Sequence, residues 1–398
     1  MFVRKYKVLF ISKDFPNMFG AIGDYTYHIS KELSKNKIDV YVLTSLNEKV
    51  IREIKGYDVK ILPLIKRWGF LGIYKIVKII EMINPDFIFL QYVPYMYNYY
   101  GIPIWICFLA FILKIKNFKF NITFHEVAIR FDIKKTKYIL IAVFQRIIAY
   151  LLCIFSKRII TSIQHYKRML NILNLFSKKI FIIPIPSNIL PIKLDENEIK
   201  KIKNRIAPNK EFVISIFGQD PKKSEVLIPV IKILNEQGIK VKLLFVGNFP
   251  THWINNLKER SKELGITELL YFTGYLSPDE VYKHLCASDL FISLENIDKK
   301  GQGGVSTKSG SIAAAYAAGL PIIGTKGDMT DDFFKNLENI FLIKKLEVDE
   351  IVNAIKKIII DKELYNRLKY FSKKTYEEKL NWKIIGEKYM SLIKYGRV

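Results

Sequence analysis

The chain has 398 residues, of which half are hydrophobic and a quarter charged, so a disordered or fibrous protein is excluded and two globular domains are expected. Its net charge of +25 indicates an anionic partner, or reflects a general richness in Lys, Ile and Asn. Three scattered cysteines fit neither a disulfide framework nor a metal site and favour a reducing compartment. Because the basic residues are dispersed and no nucleic-acid-binding module is present, no nucleic-acid partner is expected.

The first half of the chain alternates short strands with amphipathic helices, and it opens on a strand without a signal peptide. The predicted strands are KVLFIS, VYVLTS, VKILPL, FIFLQY, FNITFHE, RIITSI and IFIIPI. Most are continuous apolar runs, as expected for a parallel sheet that is covered on both faces. The prolines Pro184, Pro186 and Pro191 then mark a linker between domains.

Three apolar segments raise the question of a membrane. Segment 102–114 is too short to span a bilayer, and segment 138–155 carries Gln145 and Arg146 at its centre. We expect both to be buried helices and expect no transmembrane span. Segment 62–83 combines an apolar stripe with basic residues and a tryptophan, which is typical of a helix lying on an anionic bilayer; a core helix with a solvated basic face is the alternative.

The second half repeats the pattern with the strands EFVISIFG, VKLLFVG, LLYFTG, DLFISL, LPIIGT and NIFLI. Helices are expected to begin near Lys223, Thr251, Pro278 and Ser309. The alternation predicts an α/β protein with a doubly wound sheet in each half, and ligands bind such sheets outside the carboxyl ends of the strands. We therefore predict domains at 1–187 and 188–376, facing a cleft between them, and a final segment 377–398 that returns to the first domain.

Two loops of the first domain carry candidate site residues. Gly20 and Gly23 lie between a strand and a helix; they match only the end of the dinucleotide-binding pattern, which disfavours a nicotinamide enzyme and leaves a phosphate contact or an ordinary turn. His125 and Glu126 end a strand, where a histidine either hydrogen-bonds a sugar hydroxyl or serves the packing. Arg130 provides a further cation or a surface ion pair.

The second domain carries lysines at the beginnings of two helices. Gly218 ends a strand, and Lys222 and Lys223 follow it at the start of a helix, where a cation opposes the helix dipole. Such an arrangement is favourable if an anion lies between the lysine and the helix. The sequence therefore predicts a bound anion at this position.

The stretch GQGGVSTKSGSIAAAYAAGLPII, residues 301–323, repeats that arrangement. Its glycines, Gly303, Gly304 and Gly310, are expected to leave backbone amides accessible, while Lys308 adds a charge just before a helix at Ser309. A P-loop is not supported, because the glycine before the lysine and an acid for Mg²⁺ are missing. A diphosphate nevertheless fits two lysines and a helix N-terminus.

Taken together, these segments resemble those of glycosyltransferase family 4, whose members have the two-domain GT-B fold. The resemblance rests on GAIGDYTYHISKEL, TFHE, FTGYLSPDEVYKHLCASDLFISL and AAAYAAGLPIIGT and extends over nearly the whole chain. It implies transfer of a sugar from a nucleotide-diphosphate donor, with retention at the anomeric carbon, no cofactor and no metal ion. The implied acceptor is a glycan or a lipid-linked molecule of a cell-surface polysaccharide or glycolipid, and the implied location is the cytoplasm or the inner face of its membrane.

The resemblance also implies roles for individual residues. His125 would lie beside the donor sugar, Lys223 would hold the diphosphate, and the loop from Gly20 to Gly23 would face the donor phosphate and the acceptor. Lys308 joins His125 and Lys223 as a candidate catalytic residue because it adds a second fixed cation beside the leaving phosphate. The expected substrate-binding residues are Gly20, Gly23, Glu126, Arg130, Gly218, Lys222, Gly247, Gly274, Tyr275, Gly304, Ser306, Thr307, Ser309 and Gly310.

One departure from the family pattern keeps alternatives open. Family members usually carry two glutamates before the GLP motif, and this chain has Ser306 and Ala314 at those positions. Its STKSGS segment is similar to a basic loop, S-x-R-R-G-S, that replaces the pair in some relatives. The alternatives are a sugar-nucleotide 2-epimerase of the same fold, which needs acid–base carboxylates, and a catalytically inactive binding or scaffold protein.

Overall fold

The computed structural model describes residues 6–16, 20–131, 136–173, 179–218, 221–298 and 301–398. The chain forms two compact units. Unit 1 comprises residues Met1–Pro184 and Trp382–Val398, and unit 2 comprises Ile185–Asn381.

Unit 1 is built on a seven-stranded sheet in which every pairing is parallel. Its order is β3-β2-β1-β4-β5-β6-β7, so the direction in which strands are added reverses between β1 and β4. The strands are β1 (Lys7–Ile11), β2 (Asp39–Ser45), β3 (Val59–Ile65), β4 (Phe87–Tyr92), β5 (Phe120–Phe124), β6 (Arg158–Thr161) and β7 (Ile180–Ile182).

Helices cover both faces of this sheet. They are α1 (Ala21–Lys35), α2 (Phe70–Ile83), the short α3 (Pro94–Tyr97), α4 (Trp105–Ile115), α5 (Thr136–Phe155) and α6 (Gln164–Leu173). Because crossovers between parallel strands are right-handed, the reversal at β1 places α1 on one face and α2, α4, α5 and α6 on the other. Within the second group, α4 packs between α2 and α5, and α5 packs against α6.

The outer sides of α4 and α5 differ from the prediction that both helices are buried. Phe108 on α4 is 51% exposed and Leu140 on α5 is 55% exposed. Among the described residues, α5 is the one helix long and apolar enough to cross a membrane on length and composition alone. In the structure it packs beside α4 and α6 as part of the helix layer of unit 1.

Unit 2 is built on a six-stranded parallel sheet of order β10-β9-β8-β11-β12-β13, with a second reversal between β8 and β11. The strands are β8 (Phe212–Phe217), β9 (Val241–Val246), β10 (Leu270–Phe272), β11 (Leu290–Ser293), β12 (Ile322–Thr325) and β13 (Phe341–Ile343). All thirteen predicted strands are therefore present, and the predicted fold class is confirmed.

The helices of unit 2 enclose its sheet between two clusters of buried side chains. They are α7 (Glu196–Ile206), α8 (Leu227–Glu236), α9 (Thr251–Glu263), α10 (Pro278–Cys286), α11 (Gly310–Ala317), α12 (Val348–Ile360) and α13 (Lys362–Thr375). Short 3₁₀ turns occupy Pro221–Ser224 and Thr267–Leu269, and a π-helical turn, Tyr376–Leu380, ends the unit.

The last helix, α14 (Trp382–Tyr395), belongs to unit 1 and packs against α1. The hydroxyl of Tyr389, a fully buried residue, lies 3.2 Å from the Tyr25 hydroxyl and 3.3 Å from the Thr123 hydroxyl. The rings of His28 and Trp382 are stacked at 4.8 Å. These polar and aromatic contacts fix the end of the chain on the α1 face of the first sheet.

Candidate functional site

The candidate site in unit 2 lies at the carboxyl edge of its sheet. Three glycines lie just after the strands β8, β9 and β10, and all have positive φ angles: 62° at Gly218, 98° at Gly247 and 71° at Gly274. Gly247 and Gly274 form an isolated β-bridge, and the Gly247 amide donates to the Thr273 hydroxyl at 2.9 Å. Side chains are strained in this conformation, so the glycines let the backbone turn sharply at the strand ends.

The loop after β8 touches the first turn of α11. A Cβ atom placed on Gly218 would lie 3.3 Å from Cβ of Ser311, so little space separates the two segments. Ser309 caps α11, because its hydroxyl accepts from the amide of Ile312 at 3.3 Å. The predicted residues Gly218, Ser309 and Gly310 are thus brought together at the positive end of a helix, where anions are stabilised.

Lys223 reaches the same edge from the 3₁₀ turn that precedes α8. Its ammonium group lies 2.5 Å from the carboxylate of Glu295, which follows β11. The sequence predicted an anionic ligand beside this lysine; in the structure the anion is a carboxylate of the chain itself. The side chain of Lys222 lies outside the described part of the structure.

Glu295 is the site residue that the sequence analysis missed. Its backbone amide donates to the Thr325 hydroxyl at 2.9 Å, and that hydroxyl donates to the Glu295 carbonyl at 2.9 Å. Two bonds to the end of β12 therefore fix the backbone that carries the carboxylate. The one available signal was an acid directly after the strand FISL, at an edge where ligands bind.

The glycine loop before α11 is packed more tightly than predicted. The Gly303 amide donates to the Asp328 carboxylate at 2.8 Å, and the Gly304 amide donates to the Asn296 carbonyl at 3.3 Å. A Cβ atom on Gly304 would lie 2.3 Å from the amide nitrogen of Gly327. These glycines allow two loops to approach each other, and the expectation that both amides stay accessible is wrong.

The residues after these glycines lead into α11. Ser306 and Thr307 are buried, with 5% and 6% of their surface exposed, while Lys308 is half-buried immediately before the cap residue. Tyr275, in contrast, is 83% exposed. Lys223 and Lys308 both belong to unit 2, so the two candidate catalytic cations lie in the same domain.

In unit 1, His125 follows β5 and is buried, with 4% of its surface exposed. Its Nε2 donates to the Gln91 side-chain oxygen at 2.8 Å, and its ring meets the edge of the Tyr25 ring at 4.9 Å. Nδ1 is buried and makes no hydrogen bond in the described structure. Burial lowers the pKa of His125 to about 3, so the ring is neutral at physiological pH and Nδ1 is available to a hydroxyl donor.

The loop after β1 brings a carboxylate to the other predicted glycines. A Cβ atom on Gly20 would lie 3.2 Å from the Asp14 carboxylate, and one on Gly23 would lie 3.0 Å from the Phe15 backbone. Burial raises the pKa of the Asp14 carboxyl. Of the remaining candidates, Glu126 is half-buried and Arg130 is exposed.

Comparison with known proteins identifies the chain's family. Residues 196–375 match the family model for "Glycosyl transferases group 1", and residues 19–143 match the model for "Glycosyl transferase 4-like". The chain belongs to glycosyltransferase family 4. The two matches cover most of unit 2 and much of unit 1, in agreement with the fold of each.

Two curated glycosyltransferases match parts of the chain. The capsular polysaccharide biosynthesis glycosyltransferase CapM of Staphylococcus aureus is 27% identical over 208 residues, which are 50% of this chain and 50% of CapM. The alpha-monoglucosyldiacylglycerol synthase of Streptococcus pneumoniae is 28% identical over 148 residues, 35% of this chain and 31% of that enzyme. The matched segments thus span half or less of these relatives.

A solved structure matches the whole chain in fold. Anabaena Alr3699/HepE, crystallised with UDP, gives a TM-score of 0.71 at 15% identity, over 97% of this chain and 99% of that chain. At this identity the likeness concerns the fold alone. It agrees with a GT-B arrangement of two Rossmann-like domains.

No cluster of three or more His, Cys, Asp or Glu side chains suited to a metal ion occurs in the part of the chain that the structure describes. At the carboxyl edge of the unit 2 sheet, Lys223 and the N-terminus of α11 contribute positive charge.

Ala314 offers a test of the boundary of the site. It occupies one of the two positions where family relatives usually carry a glutamate. It is fully buried in a core cluster of unit 2. We expect Ala314→Glu to lower the free energy of unfolding by about 3 kcal/mol or more, because it buries a carboxylate without a partner. Ala318→Glu, on a half-buried residue at the end of the same helix, should cost less than about 1 kcal/mol. Urea denaturation measures both, and an Ala314→Glu protein of full stability would show that this position opens to solvent or ligand.

The buried neutral His125 should make stability depend on pH. Its folded pKa of about 3 lies below the ordinary 6.5, so the unfolded chain binds the proton more readily and stability falls as pH drops below 6.5. Between pH 7 and pH 5 the loss attributable to this residue is about 2 kcal/mol. His125→Asn keeps a donor for Gln91. We expect its free energy of unfolding, measured by urea denaturation, to fall by about 2 kcal/mol less than that of the unaltered chain between pH 7 and pH 5. His28, whose pKa is lowered to about 4, contributes equally to both proteins. Equal losses in the two proteins would mean that His125 protonates freely in the fold.

Proposed function

We propose that the protein is a retaining glycosyltransferase that moves a sugar from a nucleotide-diphosphate-sugar donor to a glycan or lipid-linked acceptor. Two contacts carry this proposal: the ion pair between Lys223 and Glu295, and the approach of the loop after β8, at Gly218, to the first turn of α11. Both lie where the strand order of unit 2 reverses. Such reversals open a crevice at the carboxyl ends of the strands, where α/β proteins bind nucleotides.

The donor diphosphate is proposed to replace Glu295 as the partner of Lys223. Before binding, the carboxylate holds the ammonium group in position at 2.5 Å. A diphosphate carries more negative charge, accepts several hydrogen bonds and also meets the amides at the start of α11. The loops that begin at Gly247 and Gly274 would hold the nucleoside, since their backbones turn sharply beside the same edge.

Charge then builds up on the leaving phosphate during the reaction. The bond between the anomeric carbon and the phosphate oxygen breaks, the acceptor oxygen bonds to the same face of that carbon, and the acceptor proton passes to the phosphate. Lys223, Lys308 and the α11 dipole are fixed before this step, so they stabilise the developing charge without further rearrangement. This front-face course preserves the anomeric configuration and requires no protein nucleophile.

Unit 1 is proposed to bind the acceptor and to contact the donor sugar. His125 is neutral, so it acts as a hydrogen-bond partner and not as an acid: Nδ1 accepts from a sugar hydroxyl while Nε2 stays bonded to Gln91. Asp14, beside Gly20, adds a carboxylate at the neighbouring strand end. UDP in the HepE crystals favours a uridine donor, and the names of the two curated relatives favour a polysaccharide or a diacylglycerol glycolipid as acceptor.

We propose a cytoplasmic location, with any membrane contact on the inner face. The three cysteines form no disulfide, and two of them, Cys107 and Cys153, are buried. Free thiols are common in reducing compartments. Fractionation of cells that express the tagged chain checks this location.

Nucleotide binding tests the proposal directly. We expect UDP to raise the melting temperature of the purified chain more than GDP or ADP do, and Lys223→Met to weaken UDP binding at least about tenfold by loss of a charge-assisted contact. Lys232→Met is the matched control, since Lys232 lies on the adjoining α8 and pairs with Glu236 of the same helix at 3.6 Å.

The products formed from a UDP-sugar separate the remaining alternatives. Proton NMR gives the anomeric configuration of the glycoside or of the released sugar. A product that keeps the donor's configuration agrees with front-face transfer, and an inverted product contradicts it. An epimerised UDP-sugar would identify the 2-epimerase. UDP binding without turnover toward water, glycans or lipid acceptors would identify a binding protein, and unchanged UDP affinity in Lys223→Met would remove the proposed site.

A further inference from the structure

The helix layer of unit 1 presents an apolar surface to solvent. Large hydrophobic residues on α2, α4 and α5 point away from the sheet. Their exposed fractions are 79% for Leu71, 76% for Met82, 51% for Phe108, 63% for Ile115, 55% for Leu140 and 47% for Ile147. We call the outer side of these three helices the apolar face. Soluble proteins seldom leave so many large apolar side chains exposed on one surface, and such patches usually mark an interaction site.

Contacts between the helices make this surface continuous. The rings of Phe70 on α2 and Phe108 on α4 lie 5.3 Å apart, and those of Phe111 on α4 and Phe155 on α5 lie 5.5 Å apart. Since α4 packs between α2 and α5, these ring contacts join the three helices into one surface.

Two polar side chains in the middle of α5, Gln145 and Arg146, turn toward the rest of unit 1. Gln145 is fully buried; its amide nitrogen donates to the Gly101 carbonyl at 3.0 Å, and its oxygen accepts from the Ile129 amide at 2.7 Å. Arg146 donates to the Ile129 carbonyl at 3.1 Å. These bonds tie α5 lengthwise to the rest of unit 1. A bilayer would therefore meet the side of the helix, and spanning would break every one of them.

Basic residues surround and interrupt the apolar face. Along α2, α4 and α5 there are four exposed basic residues, Lys75, Lys78, Lys114 and Lys137, and one acid, Glu81. That acid is already paired with Lys116 at 2.7 Å and Lys78 at 3.4 Å. The surface thus combines apolar side chains with a positive rim, which is complementary to a bilayer that carries anionic headgroups.

We propose that the apolar face docks in the plane of an anionic lipid bilayer. Exposed aliphatic and aromatic side chains enter the boundary between headgroups and acyl chains, and the lysines contact the headgroup phosphates. A second copy of the chain fits less well, because two such faces would bring their basic rims together. The inference rests on unit 1 surface residues and is independent of the function proposed for the sheet edges.

Vesicle co-sedimentation of the full chain tests this docking. We expect binding to vesicles of phosphatidylglycerol and phosphatidylcholine, little binding to phosphatidylcholine alone, and weaker binding as salt rises. Leu71→Ser/Leu140→Ser should lower the partition coefficient by about tenfold or more through lost apolar contact. Lys75→Glu/Lys137→Glu should lower it at least as much on anionic vesicles, since each basic residue near such a surface contributes a factor of about five.

Matched variants in unit 2 control for general effects. Ile360 and Tyr370 are 69% and 61% exposed there, so Ile360→Ser/Tyr370→Ser removes comparable apolar groups away from the face. Lys200→Glu/Lys357→Glu, on exposed positions of α7 and α12, makes the same change in net charge. Both controls should bind vesicles like the unaltered chain, and all four variants should keep the melting temperature and the response to UDP.

The results distinguish a lipid bilayer from a second copy of the chain as the partner of the apolar face. Losses confined to the unit 1 variants support the proposal. Equal binding by all variants, or no binding to anionic vesicles, overturns it. A concentration-dependent dimer in light scattering that Leu71→Ser/Leu140→Ser abolishes, without vesicle binding, would assign the face to a second copy and likewise overturn it. A protein that binds vesicles but not UDP would leave docking intact while the proposed function fails.

Discussion

The reversal of strand order between β8 and β11 is the constraint on which the candidate site depends. The crossovers on its two sides run to opposite faces of the sheet, so the loops after β8 and β11 separate and leave space between them. Lys223 and Glu295 come from these two loops and meet across that space. Their ion pair is partly exposed, with 18% and 33% of the side chains open, so it adds little to stability and can be exchanged for a ligand.

Unit 1 uses a second reversal, between β1 and β4, in a different way. Its strand ends carry neutral or weakly acidic groups, His125 with a pKa lowered to about 3 and Asp14 with a raised pKa, and both shifts arise from burial. Such groups suit hydroxyl recognition, whereas the lysines of unit 2 suit phosphate. The division of chemistry between the units therefore follows from where each sheet places buried and charged side chains.

The sequence predicted the features that depend on local pattern. Apolar runs, most of them continuous, identified every strand, and Gly218, Gly247 and Gly274 lie where the predicted strands end and have positive φ. Contacts between distant segments escaped it. Lys223 and Glu295 are 72 residues apart, and their pairing follows from sheet order, which single strands do not encode. Likewise, the apolar composition of α5 predicted burial, but composition alone does not say which side of a helix faces the sheet. In the structure Leu140, Val143 and Ile147 of this helix are exposed.

A crystal structure of the chain with UDP bound is the decisive measurement for the site in unit 2. We expect a β-phosphate oxygen within hydrogen-bond distance of the Lys223 ammonium group, close to the first amides of α11, with the Glu295 carboxylate displaced from its present 2.5 Å contact. UDP bound away from this edge, with the Lys223–Glu295 pair intact, would contradict this expectation.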